Sequence, residues 1–153
     1  MNPLWELADF VRQMRRQLRF GELSRAQLRM LRLEWRDDTL ECEWIARPAD
    51  PWDASLPDGV AVRNQTMQAL RDAMKIRDLV FDTLVEVNSA KFRVYRQSGA
   101  EADLIITGTV AREDQPPPRV SSVVMRAKLY GLRFWLADGV LGTLPPEECT
   151  GTF

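Results

Sequence analysis

Apolar side chains at Leu4, Leu7, Val11, Met14 and Leu18, with Ala8 beside them, recur at helical spacing and predict an amphipathic first helix. Asn2 is placed to cap it, and Pro3 suits the first helical position, where a missing N–H costs nothing. Gly21 offers a stop in the left-handed conformation. Glu6 and Asp9 lie toward the positive end of the helix dipole and Arg12, Arg15, Arg16 and Arg19 toward the negative end, the favourable order.

From Leu31 the period falls to two. Residues 31–36 and 39–44 alternate on either side of Asp37-Asp38, the signature of a β-hairpin. Pairing Arg36 with Thr39 sets Trp35 against Leu40, Leu33 against Cys42 and Leu31 against Trp44 as the inner face. On the outer face Glu34 meets Glu41, a clash unless Arg32 or Arg36 reaches across diagonally. Ser24 to Gln27 resembles a capping box and predicts a short helical turn before the hairpin.

Three prolines stiffen a connector over 48–58, and a second helix is expected from Gly59 to Glu86 with Asp58 as its cap. Strands follow at 91–96 and 103–110, joined through Ser98-Gly99. Residues 112–119 form an exposed loop, its Pro116-Pro117-Pro118 run a stiffener rather than a docking motif. Val120 to Asp138 alternates and predicts one long strand or two short ones, interrupted at Gly131; residues 139–153 read as a flexible tail.

Together these elements predict a single α+β domain over 1–153. It is a two-layer sandwich with two helices on one face of a mainly antiparallel sheet of five to six strands, in the order α-β-β-α-β-β-β(-β). A helix followed by a hairpin occurs twice, without residue-level repetition between the halves.

Composition supports a folded domain: 45% of the 153 residues are apolar, five tryptophans and six phenylalanines among them. Net charge is −1, which gives no overall attraction to nucleic acid or anionic membrane. No secretion signal opens the chain and no apolar run is long enough to span a bilayer, so a soluble cytoplasmic protein without membrane contact is expected. Two cysteines, Cys42 and Cys149, do not make a disulfide framework.

Histidine is absent altogether. That excludes Ser-His-Asp and Cys-His catalysis and every His-containing zinc site. No dinucleotide fingerprint, P-loop or nucleophile elbow is present. The sequence therefore points to no catalytic residue, no cofactor and no metal.

Several clusters remain. Residues 10–36 hold eight arginines against two acids, and residues 37–58 hold seven acids against Arg47, blocks that cancel as neighbours. Asp78, Asp82 and Glu86 follow at i, i+4 spacing, where pairing with Lys75 and first-helix arginines is favoured over metal binding; Asp50, Asp53 and Asp58 lack calcium-loop spacing. Arg93, Tyr95, Arg126, Lys128, Tyr130, Arg133 and Trp135 fall on outward positions of the later strands and form a candidate interaction face. Trp35, Trp44, Phe92 and Phe134 are candidate linings of an apolar pocket between sheet and helix.

The leading expectation is a non-catalytic domain that self-associates as a homodimer or binds another protein through its sheet. The alternatives are a small apolar ligand or carboxylate-dependent catalysis in the pocket, and, least favoured, single-stranded nucleic acid on the basic and aromatic face.

Overall fold

A computed structural model describes residues 3–48, 55–57 and 59–145. The N-terminal stripe forms α1 (Pro3–Gln17). It buries Phe10 and Met14, and Leu18 just past its end is buried with them, whereas Leu4 is left 74% exposed. The buried side is thus rotated from the expected one, and Phe10 is its centre.

The alternating segment folds as expected into β1 (Arg29–Arg36) and β2 (Thr39–Ile45). Asp37 takes the left-handed conformation (φ 55°) suited to a two-residue hairpin turn. Arg36↔Thr39, Trp35↔Leu40 and Leu33↔Cys42 pair in the anticipated register. The register breaks between Met30 and Arg32, so that Met30, not Leu31, faces Trp44 and Leu31 is exposed. A bulge inserts one extra residue and turns the next side chain away from the core. The helical turn expected at Ser24–Gln27 is not formed. The Ser24 hydroxyl accepts instead from the Ala26 N–H at 3.3 Å, a local turn that competes with helix formation.

Helix α2 (Val60–Thr83) carries the chain over to β3 (Ser89–Ser98), which lies parallel to β2. β4 (Glu101–Ala111) returns antiparallel to β3, and β5 (Leu132–Phe134) pairs antiparallel with β4. The sheet order is β1-β2-β3-β4-β5. Inward residues Leu40, Cys42, Trp44, Ala90, Phe92, Val94, Ile106 and Val110 join Leu70, Ala73, Ile76 and Val80 of α2 in one core. This is the expected α+β sandwich with a mainly antiparallel sheet.

Two expectations for the C-terminal part are corrected. Residues read as strand form a third helix, α3 (Val123–Tyr130). The Ser122 hydroxyl caps its start by accepting from the Met125 N–H at 3.2 Å, and Gly131 (φ 109°) closes it. Ala127 and Tyr130 are buried at i, i+3 spacing, so the 3.6-residue period prevails over alternation. Gly131 also permits a close approach to β4, since a Cβ there would lie 2.5 Å from the Thr109 carbonyl oxygen.

Residues 139–141 of the expected tail take part in a hairpin. β6 (Leu136–Ala137) and β7 (Val140–Leu141) form a small hairpin about Asp138-Gly139, whose φ angles are 54° and 78°. Leu141 is buried and its N–H donates to the Thr66 hydroxyl at 3.0 Å. Residues 146–153, including Cys149, lie outside the described residues.

Candidate functional site

Arg47 fixes the position of α1. Its guanidinium is dry, with a side chain 1% exposed, and all five of its donors are used. Two bonds, at 2.8 and 3.3 Å, reach the Asp72 carboxylate on α2. The others reach the carbonyls of Leu18 at 2.6 Å, Ala26 at 2.8 Å and Arg19 at 3.4 Å. The cation thereby holds the carbonyls of Leu18 and Arg19, the two residues that follow α1, and the helix stops four residues before Gly21, the expected stop. Gln68 completes the network: its amide donates to Asp72 at 2.9 Å and accepts from the Leu23 N–H at 2.6 Å. Burial is the main influence on the Asp72 carboxyl and raises its pKa, against the pull of Arg47 and Gln68.

Held in this way, α1 has an open groove on one side and a second cleft on the other. The groove, about 680 Å³, runs between α1 and β1. Its floor is Val11, Met14, Leu18, Leu28, Met30 and Leu33, and Arg15, Arg19, Arg29 and Gln27 complete the lining. None of those three arginines has a salt bridge among the described residues. Beside the floor lies the outer edge of β1, with which no strand among the described residues pairs.

The cleft between α1 and α2, about 510 Å³, is lined by Asp9, Asp78, Asp82 and Lys75 among others. Here charges find partners within the chain: Asp9 meets Arg12 at 3.5 Å and Asp78 meets Arg77 at 2.9 Å. Lys75 pairs with Glu22 rather than with the aspartates. Among the described residues no group of three or more side chains could hold a metal ion.

The candidate interaction face divides. Arg93, Tyr95 and Arg133 share the outer sheet face, with Arg93 and Arg133 flanking Thr107 on the two neighbouring strands. Arg126, Lys128 and Tyr130 lie on α3 instead, because that segment is helical. Tyr130 is buried, with the Arg77 and Arg126 guanidinium carbons 4.8 and 6.0 Å from its ring centre. Trp135, 62% exposed, follows β5, and a Cβ on Gly142 would lie 3.1 Å from its ring.

Acids balance the outer face. Glu43 accepts from Arg32 and Arg93 at 3.2 Å and from the Tyr95 hydroxyl at 3.3 Å. Arg32 and Arg36 both pair with Glu34, and Arg32 lies 3.7 Å from Glu41, the diagonal arrangement that removes the Glu34–Glu41 clash. The Glu34 carboxyl is accordingly lowered by its bonds to Arg32 and Arg36.

The four candidate pocket residues line neither the groove nor the cleft. Trp44 and Phe92 are fully buried and meet edge to face at 5.1 Å between ring centres. Trp35 lies at the hairpin end, its indole N–H donating to the Asp37 carbonyl at 2.9 Å. Phe134 lies under Lys128, whose Nζ is 5.7 Å from the ring centre. Cys42 is buried in the core, and desolvation raises its thiol pKa. No family model, no curated protein and no solved structure matches the chain. No helix among the described residues is long and apolar enough to cross a membrane.

Sequence reasoning assigned Val11, Met14 and Leu18 to the core and did not detect the groove. The clue was the run of arginines from Arg12 to Arg29, which spans the end of the first helix and the start of the hairpin.

Proposed function

We propose that the chain is a non-catalytic protein-interaction domain, and that it receives its partner in the groove between α1 and β1. The observation that carries this reading is an apolar floor continuous with an open sheet edge. Apolar surface in a concave site gains by being covered, and an unpaired strand edge supplies directional hydrogen bonds to whatever covers it. Grooves of this composition suit a segment of another protein, read by pockets on one side and by backbone on the other.

The test is selection of binders from a random peptide display library, followed by amide chemical-shift mapping on the intact chain. Selected peptides are expected to shift residues of β1 and the second half of α1, and to lose affinity on Val11→Glu. Failure to enrich any binder, or binders that map elsewhere and ignore Val11→Glu, would overturn the proposal.

Trp135 supports a second reading, self-association at the corner between β5 and β6. The residue is 62% exposed beside short strands, and a second copy of the chain is the simplest cover. Light scattering at tens of micromolar is expected to show a dimer that Trp135→Ser dissociates. A monomeric native chain would end that reading.

A further inference from the structure

Resting on the groove reading, we propose that the occupant is an extended, acidic segment of another protein, added alongside β1 as a sixth strand. Backbone geometry is the first support. In an antiparallel pair, alternate residues bond to the partner strand. Arg36 and Thr39 close the two-residue turn, so Arg36, Glu34 and Arg32 bond to β2. The peptide groups of Leu33 and Trp35 then point outward. These donors and acceptors suit an extended chain, whereas a helix has already used its own.

Side-chain positions are the second support. Alternate side chains of an added strand fall on the inner side of the sheet, over Met14, Leu28 and Met30, and call for aliphatic residues. Charge is the third. Arg15, Arg19 and Arg29 line the groove and no acid does. Aspartate or glutamate in the segment would neutralise this rim; lysine or arginine would be repelled.

A second copy fits less well. Antiparallel pairing of two β1 strands about Leu33 would set Arg32 opposite Glu34, but those two already pair within the chain. The same docking would bring two arginine-lined grooves together with no acid between them.

The probes are blocked peptides of about nine residues, a usual strand length. One alternates valine with glutamate, a second has lysine in place of glutamate, and a third is the glutamate peptide N-methylated on alternate residues. Each is titrated into the full isotope-labelled chain. The glutamate peptide is expected to bind, to slow exchange of the Leu33 and Trp35 amides, and to weaken on the order of tenfold in Arg15→Gln/Arg29→Gln or in high salt. The lysine and N-methylated peptides are expected not to bind.

Equal binding of the glutamate and lysine peptides would overturn the charge assignment, and unaffected binding of the N-methylated peptide would overturn the added strand. A chain already dimeric, with Leu33 and Trp35 amides protected before any peptide is added, would assign the edge to a second copy. If display-selected peptides occupy the groove while the glutamate peptide does not, this inference fails and the groove reading stands. If nothing occupies the groove, both fail.

Discussion

The first two helices each end on an arginine supplied by the hairpin that follows them, yet the two ends are built differently. Arg47, just beyond β2, closes α1; Arg112, directly after β4, closes α2. Arg112 donates to the carbonyls of Phe81 at 2.7 Å, Leu84 at 2.8 Å and Val87 at 2.6 Å, with its guanidinium carbon 4.9 Å from the centre of the Phe81 ring. It has no salt bridge to an acid among the described residues and is half-buried. Arg47 is dry and takes a carboxylate as well. The difference shows how a buried cation is tolerated. Carbonyls and a ring face serve where water is near, whereas full burial calls for an opposite charge.

Removing the dry cation is expected to have the largest effect. Arg47→Met leaves the Asp72 carboxylate buried with Gln68 as its remaining described donor, and should cost about 3–5 kcal/mol in urea unfolding. The double variant Arg47→Met/Asp72→Leu should recover much of that loss, because no lone charge is left inside. A double variant no more stable than the single one would show that the carboxylate is not what distinguishes the two ends.

Arg112→Met should cost less, about 1–3 kcal/mol, since the freed carbonyls lie near water. A loss equal to that of Arg47→Met would erase the contrast. The smallest effect is expected at the exposed margin of the Arg47 network. There Lys75 lowers the Glu22 pKa from the ordinary 4.5 to about 2. A carboxylate with a lowered folded-state pKa stabilises the protein above its unfolded value, and that contribution disappears as pH falls toward the folded value. Glu22→Gln should therefore flatten the acid side of the stability curve between those limits. The pair is partly solvated, so the change should be at most about 1 kcal/mol. An unchanged acid limb would separate Glu22 from the network.

Neither arginine was legible as a cap in the sequence. Arg47 and Asp72 are 25 positions apart, and only the packing of α2 beside α1 brings them together. Local pattern was informative where one period acts alone. Trp35, Leu33, Leu40 and Cys42 fixed the hairpin register, and the reading failed at Leu31 because a bulge leaves no mark in alternation. At Val123–Tyr130 two periods compete, and the Ser122 cap decided for helix. Asp138-Gly139 is a strong turn signal that the glycine-rich tail composition obscured. Of the candidate face, Arg93, Tyr95 and Arg133 were placed together by strand pairing, while Arg126, Lys128 and Tyr130 left with α3. The groove escaped notice for a simple reason: a stripe shows which side of a helix is apolar, not how much of it the fold covers.

The parallel alignment of β2 and β3 has a kinetic consequence. Each flanking hairpin can zip from its own tight turn, but β2 and β3 can meet only after the 24 residues of α2 have travelled the length of the sheet and docked. Refolding should thus proceed at two speeds, with early closure of separate ribbons followed by a slower merger governed by that crossover.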